Sequence, residues 1–146
     1  MSEELYQEAI LAHAKAAVRA GRLGAPHASA TAYNPLCGDR VTIELRLDQG
    51  RLSDIAQEVK GCALCRAAAS LLAASAVGAE PGALRTSARV FERMIRENGP
   101  PPDGPWAEFA VFTPVQRHKS RHDCVLLPFD ALAEALDRAA GPSPSS

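Results

Sequence analysis

A chain of 146 residues has the usual length of one domain, and its 47% hydrophobic residues are enough to form a core. The formal net charge of −1, with charges interspersed, excludes the basic surface typical of nucleic-acid-binding proteins and a polybasic membrane patch. No apolar run approaches the roughly 20 residues of a membrane-spanning helix. The start, MSEELYQEAI, is acidic and lacks the apolar core of a signal peptide. We therefore expect a cytoplasmic protein.

The first half of the chain predicts a helix followed by strands. Apolar residues at helical spacing favour a helix from about Glu3 to Ala20, with Gly21 as its stop. The Gly- and Pro-rich segment that follows is typical of a loop or an irregular edge strand. VTIELRL alternates between apolar and polar residues and predicts a half-buried strand, and RLSDIAQEVKG predicts a second strand after the turn DQG. Because a tight turn joins antiparallel strands, we expect an antiparallel pair.

The second half predicts mainly helices. An alanine-rich helix starts at Cys62 and stops at Gly78, and a further helix spans about Arg85 to Glu97. NGPPPDGP is a loop, and residues 106–123 carry no clear pattern. A last helix is predicted with Pro128 in its first turn, where no N–H bond is needed. The fold class is therefore α+β: a small antiparallel sheet packed against several helices, as one domain over residues 1–140 with a disordered tail, 141–146.

Four cysteines carry most of the chemical information. In a reducing compartment they are more typical of metal ligands or reactive thiols than of disulfides. Cys37 lies in a turn, NPLCGD, in which Gly38 allows a tight bend and Asp39 adds a carboxylate. Cys62 opens a helix and Cys124 lies just before the last one, and helix N-termini favour thiolates. Thiolates and a carboxylate are zinc ligands. Spacing alone leaves open that these cysteines are small buried hydrophobic residues.

The stretch KGCALCR adds a second cysteine, Cys65, three residues after Cys62. It could pack like an alanine, replace Asp39 in an all-thiolate metal site, or form a disulfide with Cys62. A strand followed by CxxC and a helix is also the layout of a thiol–disulfide oxidoreductase. The antiparallel strands and the absence of an aromatic residue before Cys62 count against that alternative. A structural zinc module is a further alternative.

Together, NPLCGD before an alternating strand, GC at the start of a small-residue helix and a late cysteine resemble the U-type iron–sulfur cluster assembly scaffolds, the IscU and NifU N-terminal-like proteins. The resemblance covers nearly the whole chain. The IscU branch has His directly before the last cysteine and an LPPVK-like segment. This chain has RHDC, no LPPVK, and an extended segment around residues 98–119, as in the SufU branch.

The SufU resemblance implies a Zn²⁺ site formed by four residues. They are Cys37, Asp39, Cys62 and Cys124. His122 is a possible alternative ligand, as is Cys65, and Arg121 would support the thiolates or contact the partner.

The resemblance also implies sulfur handling. Cys37 would accept persulfide sulfur from a pyridoxal-phosphate cysteine desulfurase of the SufS type, and downstream carriers or SUF scaffold proteins would be further partners. The same ligands could hold iron or a transient [2Fe–2S] cluster. Whether the protein is itself an enzyme or the non-catalytic partner of one stays open at this point, with the second favoured.

Overall fold

The computed structural model describes residues 8–140. Within that range the first helix, α1, spans Glu8–Ala16. The predicted start of this helix at Glu3 and the predicted disordered tail, 141–146, lie outside the described residues. The helix ends before the expected stop at Gly21 because Ala17 and Arg19 adopt left-handed conformations, with φ of 43° and 57°.

Three antiparallel strands form one sheet in the order β1-β2-β3. They are β1 (Ala28–Tyr33), β2 (Arg40–Asp48) and β3 (Arg51–Lys60). Gln49 and Gly50, both at positive φ, make the two-residue turn between β2 and β3. The predicted antiparallel pair is confirmed. For the Gly- and Pro-rich segment the sequence predicted a loop or an irregular edge strand, and β1 is an edge strand in this segment.

The prediction that β2 is only half-buried was wrong. Val41, Ile43 and Leu45 are buried in the core, as expected, and Leu47 is partly buried. Thr42 and Glu44, on the opposite face, are also buried. The segment between α1 and β1 crosses that face, and the Leu23 N–H and the Arg22 guanidinium donate hydrogen bonds to the Glu44 carboxylate, at 2.8 and 2.9 Å. A carboxylate can be buried where donors of this kind replace water.

The helices after the sheet are α2 (Ala63–Ala76), α3 (Pro81–Glu97) and α4 (His122–Ala140). Helix α4 packs across β1 and β2, and α2 packs on β3, so the core lies between the sheet and these helices. Helix α3 begins before the predicted Arg85, since Pro81 at its first position needs no N–H partner.

Residues 106–123, for which no element was predicted, contribute much of the aromatic core. Two 3₁₀ segments, Gly104–Arg117 and Lys119–Arg121, cover most of this range. Phe109 packs edge-on against Phe91 of α3, with ring centroids 4.9 Å apart, and stacks on Trp106 at 5.0 Å. The 3₁₀ spacing differs from the helical period of 3.6, which explains why the pattern was not visible in the sequence.

Helix α4 begins at His122, about one turn and a half before the predicted start. Pro128 therefore lies inside the helix and not in its first turn. A proline has no N–H, so the carbonyl of Cys124, four residues earlier, has no helical hydrogen-bond partner. Cys124 lies in the first turn of α4 and not before the helix, which corrects the sequence prediction.

Over residues 8–140, none of the helices combines the length and the apolar character needed to cross a membrane.

Candidate metal centre

The loop between β1 and β2 presents Cys37. The Asn34 backbone closes it at both sides, donating to the Asp39 carbonyl at 2.9 Å and accepting from the Gly38 N–H at 2.8 Å. The Asn34 side chain accepts a further hydrogen bond from the Leu36 N–H. Gly38 has a φ of 78°, which side-chain-bearing residues adopt at a cost. This closed turn leaves Cys37 exposed and Asp39 buried where β2 begins.

Cys124 reaches the same place from the first turn of α4. The first turn of α4 is held to α3 by the Arg96–Asp123 ion pair, with 2.7 Å between nitrogen and oxygen. It is held to the first 3₁₀ segment by His122, whose Nε2–H donates to the Gln116 carbonyl at 3.1 Å. These contacts fix the turn from which the Cys124 thiol points to the loop of Cys37.

Three ligand atoms meet at this point. The Cys37 Sγ, a carboxylate oxygen of Asp39 and the Cys124 Sγ all lie within 4.8 Å of one another. Cys124 and Asp39 are almost fully buried, at 1% and 4% relative exposure, whereas Cys37 is open to solvent. The cluster therefore has two fixed, shielded donors and one accessible thiol.

Cys62 adjoins this cluster. It precedes α2 with extended backbone angles, and in its protonated form its Sγ donates to the Asp39 Oδ2 at 3.5 Å. The hydrogen bond from the Cys124 thiol stabilises the Cys62 thiolate and, against partial burial, lowers the pKa of Cys62 to about 7; the Cys65 backbone N–H adds to this. The same hydrogen bond, together with burial, raises the pKa of Cys124. Near neutral pH, Cys62 is thus more readily ionised than Cys124.

The two alternative ligands, Cys65 and His122, lie outside this three-ligand group. Cys65 is fully buried among the apolar side chains of α2, and burial raises the pKa of its thiol. His122 is buried and uses Nε2 to bind the Gln116 carbonyl. Arg121 is half-buried at the end of the second 3₁₀ segment. Of the predicted set, Cys37, Asp39 and Cys124 form the three-ligand group, and Cys62 lies beside it in contact with Asp39 and Cys124. Neither Cys65 nor His122 belongs to the three-ligand group.

The donor chemistry fits a tetrahedral Zn²⁺ ion. Zinc–ligand bonds of about 2.0–2.3 Å place neighbouring donor atoms about 3.3–3.8 Å apart. The 3.5 Å between the Cys62 Sγ and the Asp39 Oδ2 lies in this range. The ligand atoms of Cys37, Asp39 and Cys124, all within 4.8 Å of one another, would reach it by a small contraction. Thiolate sulfur is also the usual ligand of iron–sulfur clusters.

Two features of the site were not recognised in the sequence. Leu36, beside Cys37, is 91% exposed, although leucine is normally found in cores. Gly61, which directly precedes Cys62, lies against the Asp39 carboxylate. Only the position of each residue next to a candidate ligand could have indicated its importance.

Fold and site together define a class of protein: a small α+β domain in which helices and an antiparallel sheet bring cysteines and an aspartate into one metal-binding cluster. The model of the NifU-like N-terminal domain matches residues 5–137. The chain belongs to this family, which confirms the predicted family and fold class.

Solved structures and curated relatives agree with this assignment. The crystal structure of a nitrogen-fixing NifU-like protein (N-terminal) from Brucella abortus superposes with a TM-score of 0.92 at 38% identity, over 97% of this chain and 99% of that one. The iron-sulfur cluster assembly scaffold protein IscU of Streptococcus pyogenes serotype M1 is 26% identical over 93% of this chain and 85% of its own. The zinc-dependent sulfurtransferase SufU of Bacillus subtilis strain 168 is 23% identical, over 95% and 94%. Because relatives of both names match, the SufU branch stays a prediction.

Proposed function

We propose that this protein takes part in iron–sulfur cluster assembly by accepting persulfide sulfur from a cysteine desulfurase at a zinc site. The proposed ligands are Cys37, Asp39, Cys62 and Cys124, and the proposed sulfur acceptor is Cys37. Relatives named as an iron–sulfur cluster assembly scaffold and as a zinc-dependent sulfurtransferase support both parts of this proposal.

One observation carries the choice of acceptor: Cys37 is exposed, while its neighbours Asp39 and Cys124 are buried. A persulfide on another protein can approach only an accessible thiol. Cys37 also lies in the turn between β1 and β2, outside any strand or helix, whereas Cys124 belongs to α4. The buried donors would keep the site formed while Cys37 reacts.

Zinc would be held by three thiolates and one carboxylate, and when bound it would keep the thiols deprotonated and less open to oxidation. Cys62, with a pKa of about 7, needs little help to ionise. Asp39 supplies a negative oxygen that is already buried and aimed at Cys62.

In the transfer step, the Cys37 thiolate attacks the terminal sulfur of the donor persulfide. A new S–S bond forms on Cys37, the S–S bond of the donor breaks, and the donor cysteine leaves as a thiolate that takes up a proton. The donor thiol is regenerated and Cys37 carries the persulfide, so no external oxidant or reductant is needed. We propose a desulfurase of the SufS type as the persulfide donor.

The same ligand set supports a second role, holding iron or a transient [2Fe–2S] cluster as cargo, because thiolates bind both. Carriers or SUF scaffold proteins that receive the sulfur or the cluster would be further partners. The CxxC oxidoreductase alternative finds no support, since its second thiol, Cys65, is buried and held protonated.

The decisive experiment measures the metal content of the protein and the transfer of sulfur to it from a cysteine desulfurase. Protein purified without oxygen or chelator is analysed for metal and then added to a cysteine desulfurase supplied with cysteine. We expect close to one zinc per chain, faster alanine release and a persulfide on Cys37 by mass spectrometry. Iron with acid-labile sulfide would favour the scaffold role instead. Protein that contains no metal and does not stimulate the desulfurase would refute the proposal.

A further inference from the structure

Gly61 lies opposite Asp39 across the β2–β3 ladder. Arg40 pairs with Lys60, so the next position of the antiparallel register places Asp39 beside Gly61. A Cβ atom on Gly61 would lie 2.7 Å from the Asp39 Cγ, 2.8 Å from its Oδ1 and 3.1 Å from its Cβ. The carboxylate thus occupies the space in which a side chain of residue 61 would begin.

The backbone does not explain this glycine. Five described glycines adopt positive φ, among them Gly38 and Gly50, and Gly61 is not one of them. An alanine could therefore adopt the backbone angles of residue 61 without strain. What excludes it is the short contact with Asp39, because approaches below 3.0 Å require one of the groups to shift.

The group that would shift is the candidate ligand. Asp39 is 4% exposed, and its Oδ2 lies 3.5 Å from the Cys62 Sγ. A methyl group on residue 61 would push the carboxylate from the cluster or displace the backbone that leads into Cys62. Either movement changes the arrangement of donor atoms.

We propose that Gly61 is a positioning residue for the Asp39 carboxylate: the missing side chain at position 61 is what allows this carboxylate to be a metal ligand. The inference deepens the proposed function because it rests on the proposed zinc site. It does not depend on which protein delivers the sulfur.

A double-mutant cycle on metal binding tests the inference. The four proteins are wild type, Gly61→Ala, Asp39→Ala and the double variant, and Gly24→Ala is the matched control because a Cβ there meets nothing within 4 Å. Zinc affinity is measured by competition with a chelating dye, and Co²⁺ absorption reports the donor set. The melting temperature of each metal-free protein measures how much the contact between residue 61 and Asp39 destabilises the fold.

We expect Gly61→Ala to weaken zinc binding about 10- to 100-fold, the range typical when a group that orients a ligand is changed. Its cobalt spectrum should shift in the same direction as that of Asp39→Ala. In the Asp39→Ala background the same change should alter affinity by less than about twofold, and Gly24→Ala should bind like wild type. The metal-free Gly61→Ala protein should melt lower than wild type, and removing the Asp39 carboxylate should restore most of that loss.

Among variants that fold, two results would overturn the inference. One is a Gly61→Ala protein with the zinc affinity and cobalt spectrum of wild type. The other is an equal loss of affinity with and without Asp39, which would place the effect on Cys62. If Gly61→Ala fails to fold, the double variant must fold, and a double variant that also fails would contradict the proposal. Desulfurase stimulation is measured separately, so a zinc site that binds metal without accepting sulfur would refute the proposed function alone.

Discussion

The Sγ atoms of Cys37 and Cys124 lie within 4.8 Å of each other, yet the first is exposed and the second is only 1% exposed. The two thiols share one cluster but differ in what surrounds them. Cys124 is enclosed by the core and the first turn of α4, whereas Cys37 contributes little to packing. Substitutions at the two positions should therefore separate chemistry from stability.

For Cys37→Ser we expect an intact fold and no sulfur acceptance. The free energy of unfolding of the metal-free protein should change by less than about 0.5 kcal/mol, as is usual for exposed sites. Stimulation of the desulfurase should be lost, because a hydroxyl does not form a persulfide. Urea denaturation and the rate of alanine release measure the two effects, and retained stimulation would remove Cys37 from the acceptor role.

Cys65→Ala should leave the metal site unchanged. Cys65 is fully buried, so the loss of its sulfur should cost about 1 kcal/mol of folding free energy through lost packing. Zinc affinity should remain within twofold of wild type, and stimulation of the desulfurase should be retained. A clear fall in zinc content would instead make Cys65 a ligand, as an all-thiolate site requires.

Leu36→Ser should weaken the encounter with the desulfurase. The leucine is 91% exposed beside Cys37, and burying a leucine in a partner pocket contributes about 1.5–3 kcal/mol. We expect the concentration for half-maximal stimulation to rise about tenfold or more, with the same maximal rate and the same zinc affinity.

Val77→Ser is the control for Leu36→Ser, because Val77 is also exposed but follows the far end of α2. A helix of 14 residues places it about 21 Å from the Cys62 end. An equal effect of both changes would show that general surface hydrophobicity, and not a docking contact, is responsible.

Glu44→Gln should make stability less dependent on pH. Burial disfavours the Glu44 carboxylate, but hydrogen bonds from the Leu23 N–H and the Arg22 guanidinium outweigh burial and hold its pKa below the ordinary value. A lowered folded-state pKa contributes stability above the unfolded-state pKa and loses it as pH falls through the folded-state value. The difference from wild type should therefore be about 1–3 kcal/mol at pH 7 and shrink below about pH 4.

Metal-free protein is required for the Glu44 comparison, because protonation of ligand thiols releases zinc at low pH. Glu58→Gln is the control: Glu58 also pairs with Arg22, at 3.2 Å, but its side chain is 47% exposed. Its effect should stay below about 0.5 kcal/mol at every pH. A wild-type profile parallel to that of Glu44→Gln would contradict the assignment of the pH dependence to Glu44.

Local patterns predicted the sheet and the GC helix well. The alternation of β2 and the short turn after it determine an antiparallel hairpin, and α2 begins directly after Cys62, one residue from the predicted start. The order of motifs around Cys37 and Cys62 was enough to place candidate ligands. These are properties of neighbouring residues, which a sequence displays directly.

Long-range packing accounts for the parts that the sequence did not predict. Burial of Glu44 depends on Arg22, 22 residues away, and the aromatic cluster forms from a 3₁₀ segment with no familiar period. Proline is usually found in the first turn of a helix, but α4 begins before Pro128. The contacts of His122 and Asp123 with neighbouring elements hold the helical turn that precedes the proline. Proximity of Asp39 to Gly61 follows from register, which only the folded sheet reveals.

Pro128 has a consequence for how the first turn of α4 is held in place. The gap it leaves at the Cys124 carbonyl means that fewer backbone hydrogen bonds tie the first turn of α4 to the rest of the helix. A small displacement of that turn therefore breaks less structure than it would in an uninterrupted helix, and the remaining turns up to Ala140 stay packed on the sheet. The position of the Cys124 thiol therefore depends more on the contacts that Asp123 and His122 make with neighbouring elements than on the hydrogen bonds of α4 itself.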